Sequence, residues 1–249
     1  MVAVSTDHPI ASVSQRFECQ PSKPATMAHP SSDAGRDCPR CPRLVAFREA
    51  WRSRQPDWFN APVPSFGPVD ARLLIVGLAP GLQGANRTGR PFTGDYAGDL
   101  LYRTLTEYGF ATGAYLARPD DGLALCDARI TNGVRCVPPE NKPNGQEIAH
   151  CRDFLRATIA GMPNLAAIVA LGRIAHDTTA VALGRRVSTF KFGHGATHQA
   201  DGITVFDSYH CSRYNTNTGV LTPRMFATVF AAVRAYLDAR SHAATTAAL

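Results

Sequence analysis

Cys38-x-x-Cys41 is followed far along the chain by Cys136 and, fourteen intervening residues later, by Cys151. Two cysteines two residues apart can chelate one metal, and structural zinc usually draws its second pair from another tight spacing. Here the second pair is wide, so the pattern favours an iron–sulfur cluster over zinc, with small buried thiols at Cys136 and Cys151 as the alternative. Cys19, Cys126 and Cys211 fall outside the pattern, and the odd total of seven argues against a disulfide framework.

Three further segments carry polar groups. Gly77-Leu78-Ala79-Pro80-Gly81 begins a loop that runs through Arg90-Pro91-Phe92-Thr93-Gly94-Asp95. Its glycines permit close approach of backbone to a ligand, and successive amide donors suit a phosphate or an anionic base. No Gly-Lys-Ser/Thr follows and G-x-G-x-x-G is absent, which excludes the two common nucleotide loops. Asn132, in Thr131-Asn132-Gly133-Val134-Arg135-Cys136, offers one acceptor and two donors that can read a pyrimidine edge or cap a turn. His210, in Ser208-Tyr209-His210-Cys211-Ser212, can donate to a developing anion or serve structure alone.

Each loop needs an element to aim it. Leu73-Leu74-Ile75-Val76, Ala167-Ile168-Val169-Ala170-Leu171 and Ile203-Thr204-Val205-Phe206 are short continuous apolar runs, as strands buried on both faces require, and Ala128 to Val134 is a fourth candidate. Asn144 with Glu147 has the form of a capping box before Ile148, Cys151, Leu155 and Ile159, which share one helix face. Thr222-Pro223 opens a helix striped by Phe226, Val229, Phe230, Val233 and Leu237. The alternation predicts a three-layer α/β/α sandwich around a central, mostly parallel sheet of about four strands. In such folds ligands bind at the carboxyl ends of the strands, where all three polar segments fall.

With 45% hydrophobic and 18% charged residues, the 249-residue chain is neither disordered throughout nor collagen-like nor a coiled coil. Residues 1–36 are rich in Ser, Pro and Ala and read as a disordered extension, residues 37–240 as a single domain, and residues 241–249 as a frayed tail. Arg16, Lys23 and Arg36 cancel Asp7, Glu18 and Asp33, so the net charge of +6 belongs to the domain and favours a polyanionic partner. Lys142, Lys191, Arg135 and Arg213 are the candidate phosphate contacts. No apolar run is long enough for a membrane span and no secretory signal is evident, which places the chain in the cytoplasm by expectation.

Taken in order from Cys38 to Leu237, these segments resemble the iron–sulfur uracil-DNA glycosylases, most nearly the B branch of family five. The motifs that carry the resemblance are the split four-cysteine pattern, G-L-A-P-G, G-R-x-F-T-G-D, T-N-x-V-R-C-x-P-P-x-N-K-P and H-x-S-x-x-N-T-x-T-G-x-L-T. Leu78 stands where the sister A branch carries Glu. The resemblance implies a monofunctional enzyme that flips uracil, and also other deaminated or damaged bases, out of single- or double-stranded DNA and hydrolyses the N-glycosidic bond to begin base excision repair. It implies a monomer holding one [4Fe–4S] cluster on Cys38, Cys41, Cys136 and Cys151. Asp95 would position water and stabilise a cationic sugar, His210 would hydrogen-bond the departing base, Asn132 would read its edge and Phe92 would stack on it. Gly77, Leu78 and Ala79 would complete the pocket. Pro80, Gly81 and Ser212 would grip phosphates, while Arg213, Tyr214 and Asn215 would fill the vacated stack.

One position departs from the family, which commonly has Pro after the last-motif His where this chain has Cys211. Loss of Pro frees φ and restores an N–H, so either the loop is looser or Ser212 and Asn215 anchor it regardless. The competing functions are a non-catalytic iron–sulfur nucleic-acid binder and a nucleoside hydrolase.

Overall fold

The computed structural model describes residues 33–247. Five strands form one sheet in the order β4-β1-β5-β7-β6. The four parallel members are β1 (Leu73–Gly77), β4 (Ala128–Asn132), β5 (Ala167–Leu171) and β7 (Ile203–Ser208), and the antiparallel edge is β6 (Thr197–Ala200). The fifth strand exceeds the expectation of about four. Its sequence, Thr-His-Gln-Ala, alternates exposed and covered residues at a sheet edge, so it carries no apolar run by which to be seen. A two-stranded hairpin, β2 (Ala111–Thr112) with β3 (Ala124–Leu125), lies apart.

Alternate residues of each strand face opposite layers. Leu73, Ile75, Val169, Leu171 and Phe206 pack with Leu101 and Leu105 of α3 (Tyr96–Glu107) and with Phe226, Phe230 and Val233 of α7 (Pro223–Ala247). Leu74, Val76, Ile168, Ala170 and Val205 pack with Leu155 of α4 (Gly145–Ala160) and with Ala175 and Ala180 of α5 (Arg173–Ala182). The β4 edge is covered by Phe66, whose backbone exchanges hydrogen bonds with Ile130 at 2.7 and 2.9 Å. Three short helical pieces join these elements: α2 (Ala85–Thr88), α6 (Arg213–Asn217) and a 3₁₀ turn over Pro139–Asn141.

The expected capping box is present: Asn144 Oδ1 accepts from Glu147 N and Glu147 Oε2 from Asn144 N. A helix not foreseen, α1 (Pro42–Arg54), follows Cys41, and its Leu44 joins Val134 and Cys151 in a third apolar cluster. Two expected boundaries move. Asp33 pairs with Arg135 at 3.2 Å, so the domain's contacts begin before residue 37. At the other end α7 continues past Arg240 to Ala247 through alanine-rich sequence of high helix propensity, where a frayed tail was expected. Cys19 and the rest of residues 1–32 lie outside the described residues.

Candidate active site

Parallel register sets Gly77 beside Asn132, and β7 ends two residues before His210, so three strand ends open on one side of the sheet. A cavity of about 280 Å³ lies there. Among its walls are Leu78, Ala79, Pro80 and Gly81 from the β1 loop, Phe92 and Asp95, Asn132, and His210, Ser212 and Arg213. Segments more than a hundred residues apart are thereby joined around one space.

Asp95 is the N-cap of α3, and its Oδ1 accepts from Gly98 N at 3.2 Å. The capping residue is also a cavity wall, so structure and site share one carboxylate. Burial raises its pKa above the ordinary carboxylate value, against the lowering effect of the Gly98 and Ala97 amides. The glycines of the β1 loop have a definite role beside it. A methyl group on Gly84 would come within 2.6 Å of Asp95 Oδ2, and one on Gly81 within 3.2 Å. At Gly84 a side chain would collide with the carboxylate as placed, while Gly81 is tight but less restrictive.

Phe92 has φ +54, an unusual conformation for a bulky residue. Its carbonyl accepts from Tyr115 Oη at 3.2 Å, and Arg90, two residues earlier, is locked by Thr93 and by a fork of two 2.8 Å bonds to Asp121. The Arg of G-R-x-F-T-G-D therefore fixes the turn that presents Phe92 and Asp95. Gly77 is not a wall of the cavity. It lies beneath, where a methyl would meet Asn132 Oδ1 at 2.4 Å and the Phe92 ring at 2.6 Å.

Asn132 is 2% exposed, and its Oδ1 has no hydrogen-bond partner among the described residues. A buried acceptor left unpaired costs about 1–3 kcal/mol, which a ligand donor would recover. His210 makes no side-chain hydrogen bond among the described residues; its ring lies 6.1 Å from that of Phe92, and burial brings its pKa down to about 4. It is therefore neutral near pH 7 and able to donate one N–H.

The His210 loop is held firmly. Asn215 is not a cavity wall; its Nδ2 donates to His210 O at 2.8 Å, and Ser212 Oγ caps α6 by accepting from Asn215 N. Cys211 is fully buried, with Sγ 3.5 Å from Ala97 O. Of the two readings of Cys211, these contacts favour the anchored loop. Gly172 at φ +94 allows His210 Cβ to approach the end of β5. At the rim, the Arg213 guanidinium lies 5.2 Å from the Tyr96 ring, and Tyr214 is 74% exposed. Tyr96, Ala97 and Asn141 also line the cavity and were not singled out from sequence; the motif letters N-K-P contained Asn141, but nothing in its spacing said which way the turn would face.

Arg135 is corrected as a phosphate contact. It is 1% exposed and donates to Ser65 and Thr158 at 2.8 Å each. Lys142 and Lys191 are on the surface.

Cys38, Cys41, Cys136 and Cys151 line one small space, and Ala79, a wall of the larger cavity, packs against the apolar cluster that contains Cys151. No three of these sulfurs lie within 4.8 Å of one another, whereas tetrahedral zinc at ~2.3 Å from each sulfur would need separations of about 3.8 Å. Four thiols lining one space are the kind of donor set that an iron–sulfur cluster takes. Arg135 N donates to Cys151 Sγ at 3.2 Å, and Arg48 Nη1 lies 3.8 Å from Cys136 Sγ. Burial, together with the neighbouring Cys151, pushes Cys41 up to about 11 and Cys136 up to about 12, as befits thiols that would ionise together only around a cation.

A second buried polar group was not foreseen. Asp207 of β7 accepts from His176 Nδ1 at 2.7 Å and lies 3.2 Å from His198 Nε2, while His176 Nε2 faces Phe190 O at 2.8 Å. The three side chains are close enough to suggest a metal, yet both His176 nitrogens already meet oxygen acceptors.

Comparison with known proteins follows the same lines. The sequence model of the Uracil DNA glycosylase superfamily matches residues 64–234. A Type-5 uracil-DNA glycosylase of Thermus thermophilus is 44% identical over 196 residues, covering 76% of this chain and 89% of that protein. One from Pyrobaculum aerophilum is 39% identical, covering 78% and 86%. A Type-4 enzyme from the same organism is 33% identical over 165 residues, covering 66% and 70%.

Proposed function

The chain belongs to the uracil-DNA glycosylase superfamily, and from that premise we propose that the cavity between Asp95 and His210 receives a flipped uracil and holds it while the N-glycosidic bond is hydrolysed. The protein is a uracil-DNA glycosylase acting in base excision repair. One observation carries the assignment of the site: Asn132, a wall of that cavity, is buried, and its Oδ1 has no hydrogen-bond partner among the described residues.

Uracil presents an N3–H donor between two carbonyl oxygens. Asn132 Oδ1 accepts from N3–H while its Nδ2 meets the adjacent carbonyl, and Phe92 covers the ring face. Cytosine, whose N3 is an acceptor, would leave Oδ1 unpaired, and a site built around such a bond rejects the analogue lacking it.

As the C1′–N1 bond breaks, its electron pair passes to the base and C1′ acquires oxocarbenium character. Neutral His210 donates a hydrogen bond to the carbonyl oxygen on which the negative charge collects. The Asp95 carboxylate stabilises the cationic sugar and accepts a proton from the water that attacks C1′. The products are free uracil and an abasic deoxyribose. Pro80, Gly81 and Ser212 contact phosphates at the rim, and Arg213 with Tyr214 enters the stack that the base leaves. Leu78 keeps the wall apolar, and other deaminated bases with a matching N–H are further substrates. The protein acts as a monomer.

Cys38, Cys41, Cys136 and Cys151 would hold a [4Fe–4S] cluster, which would supply a structural cross-link between the segment entering α1 and α4 rather than take part in the reaction. Arg40 and Arg43, which bond Asp153 and Glu147 of α4, brace the same junction. A brown colour lost in Cys151→Ser is expected, and stoichiometric zinc in anaerobically purified protein would refute the cluster. Among the described residues no helix is long and apolar enough to cross a membrane.

The test is release of free uracil from single-stranded and duplex oligonucleotides, followed by alkaline cleavage at the abasic site, with deoxyuridine as a second substrate. Release from DNA but not from the nucleoside is expected. Release from deoxyuridine would indicate a nucleoside hydrolase, and binding without release a non-catalytic module.

A further inference from the structure

Asn141 stands at the cavity mouth, opposite in depth to Asn132: it is exposed, while Asn132 is buried at the floor. Its side-chain amide makes no hydrogen bond among the described residues. The backbone that presents it is unusual, since Glu140 (φ 56) and Asn141 (φ 58) are consecutive non-glycine residues in the left-handed region. Asn tolerates that region better than most residues, and Glu does not.

The turn is held from both sides. Asn141 N donates to Pro138 O at 3.2 Å and Lys142 N to Pro139 O at 3.0 Å. Arg43 of α1 donates Nη2 to Lys142 O at 3.0 Å while its fork grips Glu147 at 2.7 Å, and Glu147 closes the Asn144 capping box.

We propose that Asn141 is a substrate-binding residue, donating its side-chain N–H to a phosphate oxygen that flanks the flipped nucleotide. A nucleotide entering base first sets its base against Asn132 and its phosphates at the mouth. There an unpaired neutral amide meets an anion without the desolvation cost of a buried charge. The inference rests on the glycosylase reading of the cavity and adds a contact to it.

Asn141→Gly is the informative variant, because glycine keeps the left-handed turn and deletes only the amide. KM for a uracil-containing oligonucleotide should rise about tenfold, as loss of one hydrogen bond to a charged group implies, with kcat little changed and the melting temperature not lowered. Asn141→Asp should be worse, since a carboxylate would face the phosphate. Neutral methylphosphonate placed singly at each phosphate around the uracil should, at one position, weaken the parent and leave Asn141→Gly unaffected. An active parent with a variant of equal KM, or a methylphosphonate effect identical in both proteins at every position, would overturn this contact alone. A parent that releases no uracil would overturn the glycosylase reading instead.

Discussion

Two groups of polar side chains sit at the carboxyl end of the same sheet, and they differ in one respect. Around His176, Asp207 and His198, hydrogen-bonding atoms are matched: a carboxylate lies between two imidazoles and a backbone carbonyl takes the remaining His176 nitrogen. Around the cavity, Asn132 Oδ1 has no partner and His210 makes no side-chain hydrogen bond among the described residues. The first arrangement is complete without a ligand and stabilises β7 and the segment before it. The second is complete only with one. Burial and polarity are common to both, so unsatisfied hydrogen-bonding capacity separates a binding site from a structural network.

The sharpest way to break this contrast is at Asp95. Asp95→Asn should lower the excision rate by ~10²–10⁴, the usual worth of general-base work, while DNA affinity and melting temperature stay near those of the parent, because Asn also caps helices. Single-turnover assays alongside binding and thermal unfolding would check it, and an unimpaired rate would move the water-handling group elsewhere.

Asp207→Asn should show the opposite pattern. Breaking a fully buried ion pair costs about 3–5 kcal/mol of stability, with the excision rate per folded molecule retained. A variant as stable as the parent would show that the His176 pair is not holding the fold.

Asn132→Ala sharpens the comparison from the other side. Discrimination between uracil and cytosine should fall by about 1–3 kcal/mol, yet unfolding free energy should change little, because the acceptor removed was unpaired. Denaturant melts and competition between the two bases in identical oligonucleotides provide the readout. A large loss of stability with preference intact would place Asn132 in the structural class.

The two regions should also answer differently to pH. Net interaction with Asp207 and Phe190 raises the His176 pKa despite its burial, so its contribution to stability is complete below the unfolded value near 6.5 and is lost as pH rises through the folded value. Excision instead needs ionised Asp95, whose pKa burial raises above the ordinary carboxylate value, and neutral His210, down at about 4, so the rate should fall on the acid side. Stability and rate measured across the same pH range should therefore fall at opposite ends. A rate unchanged down to pH 4 would contradict the raised Asp95.

Much of this was legible in the sequence because it follows from local pattern. Continuous apolar runs gave β1, β5 and β7, and Asn144 with Glu147 gave the start of α4, since strand burial and helix capping are decided within a few residues. Motif order likewise indicated Asp95, Asn132 and His210 together. The polar edge strand β6, with no apolar run, and α1, whose apolar positions form no clear stripe, escaped that logic.

Tertiary structure decided the remainder, for the reason that pairing across the chain has no local signature. Whether Arg135 meets phosphate or Thr158, whether Cys211 loosens its loop or packs against Ala97, and whether His176 is ligand or ion-pair partner each depend on an element distant in sequence. The residue types set what each side chain can do, and the packing sets which groups are left unpaired to do it. At Asn132, the amide came from the sequence, while the absence of a partner for its oxygen came from the way β1, β4 and the Phe92 turn close around it.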